Sequence, residues 1–216
     1  MVAAAGSIFG LFFLCSVYLQ NVLGTSPLMT GLAFIPLALT AGIGAHAAGH
    51  IVARHGVRMP LVAAFAIAAV GMALLAHVGE NGSYLRNVLP GMLVAGFGLG
   101  IAVVTVSIAI LTGSREDESG MISGLNSTGH EIGGTIGIAV FSTIAAGAGG
   151  ALGGAQAATA ISHAFVVAGL LASLASITAL FVLPHAGQFL PKLHLNAAAM
   201  PSPKPATSIP GRTLRR

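Results

Sequence analysis

Charge is what this sequence has least of. Only 6% of its residues are Asp, Glu, Lys or Arg, against about a quarter in a soluble domain. None of the four occurs from Met1 to Ala53. Such a chain cannot cover a water-facing surface. Tryptophan is absent and Tyr18 and Tyr84 are the only tyrosines, so the aromatic belt usual at a membrane interface is thin. The lone cysteine, Cys15, excludes a disulfide within the chain. Set inside an apolar run, it reads as a packing thiol. The N-terminus lacks a basic segment, and its apolar stretch is too long for a signal peptide.

What is present is hydrocarbon. The chain is 55% hydrophobic with mean hydropathy +0.92, arranged in runs long enough to cross a core of about 30 Å as helices. Lipid satisfies no backbone hydrogen bonds, so spanning segments are helices or a closed barrel. The runs lack the period-two alternation of barrel strands, so helices are expected. The reading is an all-α integral membrane protein with six spans, at roughly 2–23, 32–53, 60–78, 90–112, 120–146 and 163–184. Pro60 and Pro90 stand at helix starts and Pro184 at an end, where a missing N–H costs little. Pro36 falls inside the second span and predicts a bend, with neighbouring helices satisfying the freed carbonyl. Segment 147–155 is a small-residue link. The tail 185–216 holds half the prolines and is polar and basic, a composition expected to be disordered.

Six spans place both termini on one side. Arg54 and Arg58, Arg115, and Lys192, Lys204, Arg212, Arg215 and Arg216 of the tail all fall there, with only Arg86 opposite. By the positive-inside rule the termini are cytoplasmic, in a multi-pass protein of the cell membrane. No nucleic-acid partner is expected.

Four stretches, in order, carry a resemblance: "YLQNVLGTSPLMTGLAFIPLAL" (18–39), "GHIVARHGVRMPL" (49–61), "PGMLVAGFGLGIA" (90–102) and "SGMISGLNSTGHEIGGTIGIAVF" (119–141). Together they resemble the C-terminal half of a major facilitator superfamily transporter, in the branch of 14-helix drug–proton antiporters. The second stretch matches the superfamily's loop signature, glycine–x–x–x–acid–Arg–x–Gly–x–Arg, through Gly49, Arg54, Gly56 and Arg58, with Ala53 in place of the acid. The resemblance implies a six-helix half built from two inverted three-helix repeats. It also implies alternating access, amphipathic small-molecule substrates, a proton gradient as driving force with no cofactor, and an N-terminal half or another polypeptide as partner. A truncated fragment that does not transport, or acts only as an interaction partner, is the alternative. In the superfamily the loop signature helps close the cytoplasmic side. With Ala53 at the acid position, Arg54 and Arg58 are expected to pair with Glu116, Asp117 and Glu118.

Candidate residues follow from helical spacing. Ser123, Ser127, Glu131 and Thr135 recur every four residues and form one polar stripe. Gly129, Gly133 and Gly137 form a second stripe, about 200° around the helix and suited to close packing. Glu131 falls near mid-membrane, where a carboxylate must be protonated, paired or wet. It is the proton-coupling candidate, with a protonated, merely packing acid as the other reading. The resembling pattern carries a basic residue and then an amide where His130 and Glu131 stand. In the resembling fold the first and fourth helices line the cavity, which adds Tyr18, Gln20, Thr105 and Ser107 to Ser127 as substrate candidates. Helix capping or bundle hydrogen bonds are the alternative for these. His46 and His50 share a face, but no third ligand stands at a metal-binding spacing, so packing is the expectation and no metal site is assigned. An enzyme built on the histidines is not expected, because His77 and His163 fall on the opposite side.

Overall fold

The fold is described from a computed structural model covering residues 1–112, 118–147 and 154–183. Six long helices form the bundle: α1 (Val2–Val22), α2 (Pro27–His55), α3 (Arg58–Leu75), α4 (Tyr84–Leu111), α5 (Ser119–Gly147) and α6 (Gly154–Val182). No strand is present among the described residues. All but α5 are long and apolar enough to cross a membrane. At 29 residues α5 is long enough too, but its serines, threonines and Glu131 lower its hydropathy.

Three helices begin earlier than apolarity alone predicts. Ser26 caps α2, its Oγ accepting from the Met29 amide, with Pro27 at the first turn; together they start the helix at 27 and not near 32. Helix α4 starts at 84 because a π-helical turn, Tyr84–Val88, precedes Pro90. Helix α6 starts at 154 because Gly154, at φ +62°, turns the chain directly into it. A second π turn, Tyr18–Val22, ends α1. The bend expected near Pro36 is a break at Phe34, dividing α2 into Pro27–Ala33 and Ile35–His55. The Tyr84 hydroxyl donates to the Ala33 carbonyl there at 2.7 Å. That gives the Ala33 carbonyl a partner at the break.

The packing repeats itself. Helix α1 packs on α5, α4 packs on α2 and on α3, and α3 packs on α6. The first helix of each triplet thus lies against the second helix of the other, as two three-helix repeats of opposite direction require. Glycine makes these contacts close. A Cβ on Gly100 would lie 2.8 Å from the Ala41 carbonyl carbon of α2, and one on Gly98 would lie 2.7 Å from the Ala68 amide of α3. On α5, a Cβ at Gly133 would stand 2.7 Å from Val2 Cα and one at Gly137 2.6 Å from Gly6 Cα. Real side chains do not approach backbone so closely, so these positions need glycine. Between α3 and α6, Ser176 Oγ donates to the Val62 carbonyl at 2.9 Å, and Ser162 Oγ to that of Ala76.

One end of the bundle gathers Met1, Leu61, Ile110 and Leu183 around a single cavity. The start of α3, with Arg58, therefore shares that end with the start of α1, whereas Arg86 begins α4 at the other. Gly137→Val should push α1 from α5 and cost about 1–3 kcal/mol. Gly42, where a Cβ meets nothing within 4 Å, should accept Ala within about 0.5 kcal/mol. Thermal midpoints of the two variants in detergent check both expectations.

Candidate functional site

Helix α5 carries two chemistries on two faces. Gly133 and Gly137 are buried against α1, whereas Ser123, Ser127, Glu131 and Thr135 are all exposed. Where the two faces meet α4 lies a polar pocket of about 260 Å³. Ser107 and Val103 of α4, Asn126, Ser127, His130 and Glu131 of α5, and Met1 line it. Asn126 Nδ2 donates to Ser107 Oγ at 3.3 Å. Its Oδ1 is buried without a partner among the described residues, leaving an acceptor beside Ser107. Glu131 sits twelve residues into α5, about 18 Å along its axis. Its carboxylate lies 3.7 Å from His130 Nδ1, and the Glu131 side chain is 80% exposed. The edge of Phe9 on α1 meets the His130 ring at 5.5 Å between centroids, which fixes the imidazole beside the carboxylate.

Of the expected residues, the structure brings Ser107, Ser127 and Glu131 together. Thr105, also on α4, is fully buried, and its Oγ1 has no partner among the described residues; it does not line the pocket. Tyr18 and Gln20 lie at the far end of α1. Tyr18 is 1% exposed and its hydroxyl donates to the Gly79 carbonyl at 2.7 Å. Gln20 Nε2 donates to Ser16 Oγ one turn back at 2.9 Å. The stripe argument passes over Asn126 because a neighbour in sequence is turned about 100° from Ser127; only the approach of α4 gives it a partner. His46 and His50 stack at 5.4 Å on the exposed side of α2, and no cluster of metal-ligating residues exists among the described residues.

The loop signature closes α2. Gly56 takes φ +70° and ψ −167°, a conformation that side chains disfavour, so the motif's second glycine has a backbone reason. Val52 and Val57, either side of the turn, are both buried. Arg54 occupies the last turn of α2, where a cation interacts favourably with the helix dipole. Glu116 and Asp117, expected to pair with the arginines, lie outside the described residues, as does the 185–216 tail.

Known proteins resemble this chain in sequence and fold. The sequence profile of the Major Facilitator Superfamily matches residues 1–138. A puromycin resistance protein of Streptomyces alboniger is 32% identical over 144 residues, 65% of this chain and 29% of that protein. The multidrug resistance protein Stp of Mycobacterium tuberculosis is 31% identical over 140 residues, 65% of this chain and 26% of its own length. A lincomycin resistance protein of Streptomyces lincolnensis is 29% identical over 169 residues, covering 78% of this chain and 34% of that protein. The chain thus spans about a third or less of these relatives. Among solved structures, a D-xylose–proton symporter superposes with TM-score 0.57 at 18% identity, covering 91% of this chain and 50% of the symporter.

The two tyrosines at the π turns separate structural from ligand-binding roles. Tyr18→Phe should remove one buried hydrogen bond, cost about 1 kcal/mol and lower the thermal midpoint. Chemical-shift or labelling readouts at His130 should stay unchanged.

Proposed function

The chain belongs to the Major Facilitator Superfamily, and from that premise we propose that it is the C-terminal six-helix half of a transporter exporting amphipathic small molecules. The export is proton-coupled and works by alternating access against a second half. The observation that carries this reading is Glu131: a carboxylate in mid-helix, open to a polar pocket on an otherwise apolar bundle. A carboxylate on so apolar a bundle has a use or a partner, and here it has both a histidine beside it and open space in front. Protonation neutralises Glu131 and weakens its attraction for a cationic ligand; deprotonation restores it. That exchange couples a proton to a substrate. Ser107, Ser127 and Asn126 add hydrogen-bonding groups that can orient a substrate's polar end.

Drug export is favoured by the relatives, which are named for resistance to puromycin, lincomycin and multiple drugs. The second half is favoured by the open faces of α2 and α5. Helix α2 buries only 17% of its most apolar window within the bundle, and the polar stripe of α5 is exposed as well. The proposed orientation in the cell membrane puts both termini in the cytoplasm, supported by Arg54 and Arg58 at the end opposite Arg86. Nothing in this reading calls for a cofactor or for enzymatic chemistry.

The test is puromycin accumulation in cells lacking efflux pumps. The chain alone should leave accumulation unchanged. Fused behind the N-terminal half of the Streptomyces alboniger protein it should lower accumulation, and Glu131→Gln in the fusion should abolish that effect at equal membrane abundance. Export by the chain alone would refute the half-transporter reading. Export undiminished by Glu131→Gln would refute the coupling role.

A further inference from the structure

The larger cavity of the bundle, about 610 Å³, is separate in chemistry from the polar pocket. It lies between α5 and α6, walled behind by α1, α3 and α4, with Leu61, Val106, Ile136, Val140, Leu174 and Val182 among its lining. Two hydroxyl side chains reach it, and both are already committed: Ser7 Oγ donates to the Ala3 carbonyl and Thr178 Oγ1 to the Leu174 carbonyl, each at 2.8 Å. A buried water needs two to four polar partners, and walls so largely apolar offer few, so the cavity suits hydrocarbon better than water. Its walls run on into the outer surface of the bundle. On α6, Leu174 is 58% and Val182 73% exposed, so in a membrane that side of the mouth meets hydrocarbon.

We infer that the cavity is an acyl-chain site, filled by one tail of a phospholipid from the leaflet on the Met1 side. Depth supports this occupant. The α6 wall runs from Leu171 to Leu183, about 18 Å at 1.5 Å per residue, and one leaflet of a ~30 Å core is about 15 Å deep. A single tail therefore reaches from the end of the bundle to its middle. Charge supports a phospholipid in particular. Arg58 begins α3 three residues before the cavity-lining Leu61, and Arg54 closes α2 at the same end. Cations at that end of the bundle attract anionic lipid. The bound tail fills the space between α5 and α6 that their side chains leave open. This inference does not depend on Glu131 or on drug export.

The experiment is photolabelling of the whole chain in nanodiscs of phosphatidylethanolamine and phosphatidylglycerol, doped with a phospholipid carrying a diazirine near its acyl terminus. Mass spectrometry should find adducts concentrated on Val140 and Leu174. Ala175→Phe, which fills the cavity from α6, should reduce them roughly tenfold, equivalent to ~1.4 kcal/mol of occupancy. Val166→Phe, at an exposed position that does not line the cavity, should leave them unchanged. Ala109→Phe, filling from α4, serves where the α6 variant does not insert. Adducts spread evenly over exposed residues, or unaffected by filling, would show ordinary annular lipid and overturn the site. Labelling of the outer surface with none in the cavity would show that a protein segment occupies it, and would overturn it equally.

Discussion

Backbone-to-backbone contact at glycine is the constraint on which the bundle depends. In hydrocarbon, apolar side chains gain nothing by leaving lipid for one another, so helices associate through packing contacts and hydrogen bonds. The approach must then be close. Gly98 and Gly100 let α4 touch α3 and α2 at once, and Gly133 and Gly137 bring α5 onto α1. These pairings place the first helix of each triplet against the second helix of the other. The inverted-repeat architecture is in that sense a consequence of where backbone can meet backbone.

Hydrogen bonds reinforce the same contacts where helices deviate from regularity. The π turns at Tyr18–Val22 and Tyr84–Val88 share the string Tyr–Leu–x–Asn–Val. Each directs a tyrosine hydroxyl to a carbonyl on another segment, Gly79 in one case and Ala33 in the other. Buried polar groups are costly unless paired, so each tyrosine both relieves a carbonyl and ties the end of the bundle remote from Met1. That end is held by specific bonds. The Met1 end is looser, with both cavities meeting there.

The polar pocket and the apolar cavity show how α5 serves both packing and chemistry. Its glycines bury against α1, which fixes the rotation of the helix and turns Glu131 outward. His130 follows from the same rotation, held at the edge of Phe9. On the remaining side, bulky apolar residues such as Ile136 and Val140 line the cavity that α5 shares with α6. Three faces of one helix thus differ in kind: one packed on α1, one polar and exposed, and one lining an apolar cavity.

Much of this was determined by sequence alone. Scarce charge and long apolar runs specify membrane helices, because hydrocarbon tolerates no other open backbone. The loop signature specifies family, and the four-residue spacing on α5 separates a glycine face from a polar one. Gly56 was legible as well, as the turn between two spans. Other features were decided only by tertiary structure. Helix starts at 27, 84 and 154 depend on a cap, a π turn and a positive-φ glycine, none of which alters hydropathy. Tyr18 and Gln20 share a helix with the residues at the pocket end yet sit at its far end with local or interhelical partners. Asn126 gains its role from Ser107, nineteen residues away in sequence. The physical reason is common to all of these. Periodicity fixes which side chains share a face, but which neighbour that face meets is set by the approach of another helix, and that approach is not encoded locally.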